Sequence, residues 1–135
     1  MERKRISSLL IPLLLLLLFS APASSNDMDI FEITIDVSPN VLNIQSKGTV
    51  VTIHTDIKYY EVDFTSVYLN DILIQSWKSD DRGYFVAKFS MDEVKDLPLS
   101  FGNYNTLTLI GQTRAGDTFS GSQDILVINN IPSKK

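Results

Sequence analysis

The sequence has no cysteine, one histidine and one tryptophan. Without cysteine there are no disulfides, no thiolate metal ligands, no iron–sulfur ligation and no cysteine nucleophile, so a fold outside the cytoplasm stands on its apolar core alone. No Asn-x-Ser/Thr acceptor, no G-x-S-x-G nucleophile elbow, no internal repeat and no low-complexity tract past the N-terminal leader is present. Positive charge is also scarce beyond the first few residues. Setting residues 1–23 aside removes Glu2, Arg3, Lys4 and Arg5 and leaves nine Lys/Arg against fifteen Asp/Glu in 112 residues. An acidic chain without a basic cluster excludes nucleic acid as a partner, because phosphates demand Lys and Arg.

What is present begins with the leader. Arg3, Lys4 and Arg5 precede an apolar run of 11 residues, Leu9–Phe19, and Ala21-Pro22-Ala23 follows. A charged start, an apolar middle and an A-x-A exit make the pattern of a secretory signal peptide over residues 1–23, with Ala21 and Ala23 in the peptidase pocket and Ser24 as the first mature residue. A spanning helix needs about 20 apolar residues. An uncleaved anchor over residues 6–23 is the alternative, and Pro12 with the small-residue exit favours cleavage. The remainder, expected to be periplasmic or extracellular and not membrane-spanning, divides into an arm (24–29), one domain (30–130) and a polar tail (131–135).

Within the domain the apolar residues recur every second position. Phe31, Ile33, Ile35 and Val37 alternate with polar residues and predict one half-buried strand. Further strands are predicted at 41–44, 49–56, 64–69, 72–77, 84–89, 105–113, 118–121 and 125–128. Turns are expected at Ser38-Pro39-Asn40, Lys47-Gly48, Asn70-Asp71, Ser79–Gly83 and Arg114–Asp117. The only helix signal is Ser90–Leu97, where Ser90 and Glu93 form a capping box and Pro98 stops the helix. About seven to nine short strands with turn signals every 8–12 residues predict an all-β, immunoglobulin-like antiparallel sandwich, with a small barrel as the alternative.

Four stretches add a family resemblance. They are Pro39-Asn40-Val41-Leu42-Asn43-Ile44-Gln45-Ser46-Lys47-Gly48, Asp63-Phe64-Thr65-Ser66-Val67-Tyr68-Leu69-Asn70, Ala87-Lys88-Phe89-Ser90, and Leu107-Thr108-Leu109-Ile110-Gly111 with Gly116 and Phe119-Ser120-Gly121-Ser122. Their order and spacing over residues 33–129 resemble an immunoglobulin-like β-sandwich module of secreted and cell-surface bacterial and archaeal proteins. The resemblance implies a structural or adhesive unit outside the cell. Members of that family often carry a D-x-D-G-D-G loop before the V-K-F strand, which can offer oxygens to calcium. Here the loop reads Lys78-Ser79-Asp80-Asp81-Arg82-Gly83-Tyr84 and only Asp80 survives by position, which puts calcium binding in doubt. Asp80 and Asp81 are the weak metal candidates, and no cofactor is expected.

Other side chains are weighed on their chemistry. His54 lies with Thr52 on the face opposite Val51 and Ile53, and reads as an ordinary strand residue. A small hydrolase or metal enzyme would require His54 in a pocket with two carboxylates. Glu32, Asp36 and Glu61 sit in polar-phase or loop positions, unlike an acid–base pair. Tyr59, Tyr60, Trp77 and Tyr84 are the candidate binding aromatics. If Tyr59, Tyr60 and Trp77 shared a flat exposed strip they would stack on sugar rings; otherwise Trp77 plugs the core and the tyrosines cap its edge. The expected function is that of a non-enzymatic exported module, structural or protein-binding, whose partner is another exported or surface protein, docked for example on an edge strand. A carbohydrate-binding module is the alternative. Intact-mass analysis of the protein recovered from periplasm or medium is expected to give a chain starting at Ser24, and a species retaining residues 1–23 would overturn the cleaved-leader reading.

Overall fold

The computed structural model describes residues 29–131. The predicted leader with Ala21, Ala23 and Ser24, the arm up to residue 28 and the tail from residue 132 lie outside the described residues. Ten strands form two sheets. They are β1 (Ile30–Glu32), β2 (Ile35–Ser38), β3 (Val41–Asn43), β4 (Val50–Lys58), β5 (Val62–Leu69), β6 (Ile72–Leu73), β7 (Ser76–Ser79), β8 (Tyr84–Ser90), β9 (Asn103–Thr113) and β10 (Thr118–Ile128). One sheet runs β2-β4-β8-β7. The other runs β1-β10-β9-β5-β6, with β3 also on β10. Side chains of both sheets meet in one apolar core, filled by Phe85, Phe89, Phe119, Ile53, Leu107 and Leu109 among others. The described residues thus form a mostly β, two-layered fold. Among the described residues, no helix is long and apolar enough to cross a membrane.

The strand count exceeds the expectation because two predicted strands change sheets midway. The run 31–37 gives β1, parallel to β10, and β2, antiparallel to β4. The transfer occurs between neighbours: Ile33 N–H donates to the Ser120 carbonyl (2.9 Å), whereas Thr34 N–H donates to Asp56 Oδ1 (2.9 Å) beside the other sheet. Gly121 permits it, since a Cβ there would lie 2.7 Å from the Ile33 oxygen. Phe31, expected inside, is 41% exposed. The run 72–77 divides the same way. Ile74 N–H donates to Val67 in one sheet (3.1 Å) and Gln75 N–H to Lys88 in the other (2.8 Å). Conversely, the two strands expected over 118–128 are one continuous strand.

Local chemistry accounts for the turns. Asn70 and Asp71 both have positive φ, 44° and 72°, as a two-residue hairpin turn requires. The Asn70 side chain secures the turn by accepting from Thr108 N–H at 2.7 Å and donating to the Thr106 carbonyl at 3.1 Å. The short helix α1 (Met91–Lys95) starts as foreseen, with Ser90 Oγ accepting from Glu93 N–H, and buries Met91 and Val94.

Two bulges shape one end of the molecule. In β4 the register to β8 shifts between His54 and Lys58. There Thr55, a buried polar side chain, donates its hydroxyl to the Phe85 carbonyl at 2.6 Å. In β5 the core-facing residues change parity, from Val62 to Val67 and Leu69. The intervening Asp63–Ser66 segment is bulged against β9, and Ser66 Oγ accepts the Gln112 amide at 2.8 Å in place of a ladder bond. Replacing a buried hydroxyl that partners a backbone carbonyl leaves that carbonyl unsatisfied, at a cost of about 1–3 kcal/mol. Thr55→Val is therefore expected to lower the unfolding free energy by about 1–3 kcal/mol, read by urea denaturation. Thr52→Val, on the outer sheet face, is expected to stay within about 0.5 kcal/mol of the parent; equal effects at the two positions would refute this role for Thr55.

Candidate functional site

Three connections converge at the end of the sheets shaped by these bulges. A 3-10 turn, Tyr59–Glu61, links β4 to β5. Asp80–Gly83 links β7 to β8, and Arg114–Asp117 links β9 to β10. Backbone bonds tie the three together: Tyr59 N–H donates to the Gly83 carbonyl at 2.9 Å, and Arg114 N–H to the Glu61 carbonyl at 2.8 Å. The sequence-predicted aromatics and the Asp80-Asp81 loop, scattered over some 25 positions of sequence, thus reach one end of the fold.

They do not form a flat strip. Tyr59 and Trp77 flank Phe64, with ring centroids 4.8 and 5.2 Å away, and Phe85 stacks on Phe64 from the core at 5.9 Å. Trp77 sits opposite the buried Ala87 in the β7–β8 register, so it faces inward, yet on an edge strand it keeps 39% exposure. It closes the side of the core and shows its rim to solvent. Tyr60 points elsewhere and is 67% exposed. Tyr84 lies on the outer sheet face, with Lys58 Nζ 4.4 Å and the Arg82 guanidinium 5.7 Å from its ring centre.

Arg114 and Phe64, which the sequence reading placed only in a turn and at a strand start, prove central. The Arg114 guanidinium lies 5.5 Å from the Phe64 ring centre, within cation–π range, and Arg114 Nε donates to the Val62 carbonyl at 3.4 Å. Arg114 lines two open depressions. The first, about 400 Å³, is lined by Asp63, Phe64, Thr65, Trp77 and Arg114 with Val62. The second, about 330 Å³, is lined by Phe31, Tyr60 and Glu61, and by Thr113–Ala115 and Asp117 of the hairpin. The parity change of the apolar residues between Phe64 and Val67 was the signal in the sequence that could have marked Phe64 as displaced from its strand face.

Asp80 is committed to its own loop. Its Oδ1 accepts from Arg82 N–H at 2.8 Å and Tyr84 N–H at 2.9 Å, and Gly83 supplies the positive φ, 88°, that the turn needs. Asp81 is exposed beside it. Among the described residues no three His, Cys, Asp or Glu side chains gather as a metal would require. His54 is exposed on the outer sheet face, opposite Asp36 and Val86 in register.

The Asp80 carboxyl is held below the ordinary aspartate value, first by the Tyr84 amide. Partial desolvation opposes this, and the Arg82 amide, the Arg82 guanidinium and the Gly83 amide reinforce it. A lowered folded value means that the loop is fully supported above the unfolded titration range and loses that support as pH falls through the folded value. Carboxyl-carbon NMR is expected to show Asp80 titrating below an unstructured aspartate, with protection of the Arg82 and Tyr84 amides disappearing in step; a midpoint at or above the ordinary value would contradict the assignment. Comparison of the chain with family models, with curated proteins and with solved structures gave no match.

Proposed function

We propose that the domain is an exported, non-enzymatic immunoglobulin-like sandwich that works by binding a component of the cell envelope or its surroundings through its aromatic end. The leader supports export. The strand order supports the fold assignment: in immunoglobulin lettering eight of the ten strands fall in the orders A-B-E-D and G-F-C-C′, with β1 and β3 added in parallel on G. The observation that carries the binding role is the 3-10 turn Tyr59–Glu61, tied by backbone bonds to Gly83 on one side and Arg114 on the other, with exposed Tyr60 and half-open Trp77 at the same end. Tyr, Trp and Arg are the side chains that dominate binding hot spots. Edge-strand docking is the weaker mode here. The outer strand β7 is short, four residues, and carries Lys78, and both features blunt strand addition.

The test is retention on isolated native envelopes. Mature protein is expected to co-sediment with them, and Tyr60→Ala or Arg114→Ala to lower retention at least about tenfold. Phe101→Ala, exposed at the opposite end of the sheets, is expected to leave retention unchanged. Absent retention, or retention indifferent to Tyr60 and Arg114, would overturn the proposal.

A further inference from the structure

We propose that the outer face of the β1-β10-β9-β5-β6 sheet binds a second copy of this chain, face to face about a two-fold axis. The surface is distinct from the aromatic end, and the proposal does not depend on the role given to that end. The first observation is where the charges lie. Among the described residues, the strands of this sheet hold no Lys or Arg and three carboxylates, Glu32, Asp63 and Asp124. The strands of the other sheet hold Asp36, Asp56, Lys58, Lys78 and Lys88. Asp63 lies at the bulged end, Glu32 is on the edge strand β1, and Asp124 accepts the Thr106 hydroxyl at 2.6 Å. The centre of the face is left without charge, and depletion of charge marks the core of protein interfaces.

The second observation is an apolar ridge. Leu73, Tyr68 and Ile110 stand side by side across β6, β5 and β9. Their chain neighbours Ile72, Leu69 and Leu109 fill the core, so the strand alternation turns these three outward. They are 53%, 41% and 40% exposed. Three large apolar side chains in one row form a continuous patch, which marks an interaction surface where single exposed residues do not.

The third is that the face complements itself. An open hollow of about 410 Å³, lined by Ser66 and Gln112 among others, lies against the ridge at Tyr68 and Ile110. Across a two-fold axis the same patch meets itself, so the ridge of each copy faces the hollow of the other. Further along, the Thr108 and Ser122 hydroxyls lie 2.8 Å apart on the same face. A hydroxyl both donates and accepts, so a hydroxyl-bearing face matches its own copy. Carboxylates outnumber cations in this chain, and like net charge keeps copies apart. A face without central charge is where two copies approach at least cost. The size also fits. With β9 and β10 eleven residues long, the strand spacing and rise give a face of roughly 20 by 35 Å, about 700 Å², close to the ~800 Å² per partner of a specific interface.

The test is sedimentation velocity of the mature protein at concentrations up to about 300 μM. A reversible monomer–dimer equilibrium is expected. Ile110→Glu and Leu73→Glu are each expected to weaken it at least about hundredfold, because like charges then meet across the axis. His54→Glu, on the outer face of the other sheet, is expected to leave it within about twofold. Ile110 is on β9, the middle strand of the five, which puts it beside the axis. Ile110→Lys alone is therefore expected to weaken association as well, and an equal mixture of the Lys and Glu variants to regain at least about tenfold. Unfolding midpoints matching the parent's verify that the variants are folded.

A chain monomeric throughout, a dimer indifferent to Ile110→Glu and Leu73→Glu, an equal loss with His54→Glu, or a mixture that associates no better than either variant would overturn the proposal. If the chain is monomeric while Ile110→Glu still lowers envelope retention, the face belongs to a different protein and the second-copy assignment falls.

Discussion

Two side-chain hydroxyls hold the bulges on which the aromatic end depends. Thr55 on the Phe85 carbonyl and Ser66 on the Gln112 amide replace ladder bonds where β4 and β5 leave regular register. A buried ladder group without a partner is costly, so each bulge persists because a hydroxyl stands in for the missing strand atom. Between them the chain has room for the 3-10 turn at Tyr59–Glu61, and β5 can change which residues face inward. That change frees Phe64 from the alternation and lets it reach across to Trp77 and Phe85 of the other sheet. In a chain without disulfides, this bridge between layers is made of rings.

Phe64 accordingly joins the two layers. Its contacts with Tyr59, Trp77 and Phe85 each bring about 0.5–1.5 kcal/mol beyond simple burial, and they fix the indole's orientation on an edge strand. Arg114 sits over the same ring and is anchored through its backbone to Glu61. The contrast with Tyr84 is instructive. It leaves the same loop region yet is occupied by Lys58 and Arg82 on another face.

Much of the core was legible from alternation alone. Ile33, Ile35 and Val37, then Phe85, Ala87 and Phe89, and Leu107 with Leu109 are all buried as their spacing implies. So were the Asn70-Asp71 turn and the Ser90 cap, which are local chemistry. Alternation cannot tell which of two sheets a residue faces from, so the transfers at Ile33–Thr34 and Ile74–Gln75 left no trace in it. Phe31 kept the pattern but lost the cover. The site was less legible still, because its defining contacts, Tyr59 to Gly83 and Arg114 to Glu61, join segments distant in sequence. The residue types were visible; their meeting at one end of the fold was not.

The parallel pairing of β1 and β3 with β10 has a kinetic consequence. The first described strand and the last are neighbours, and side-chain bonds such as Val37 N–H to Gln123 span 86 positions of sequence. Contacts of that separation close late and slow the reaction that forms them. In a chain that emerges N-terminus first, β1 and β3 are out well before β10 can pair with them. Until then these two strands lack a partner, whereas β2 can already pair with β4.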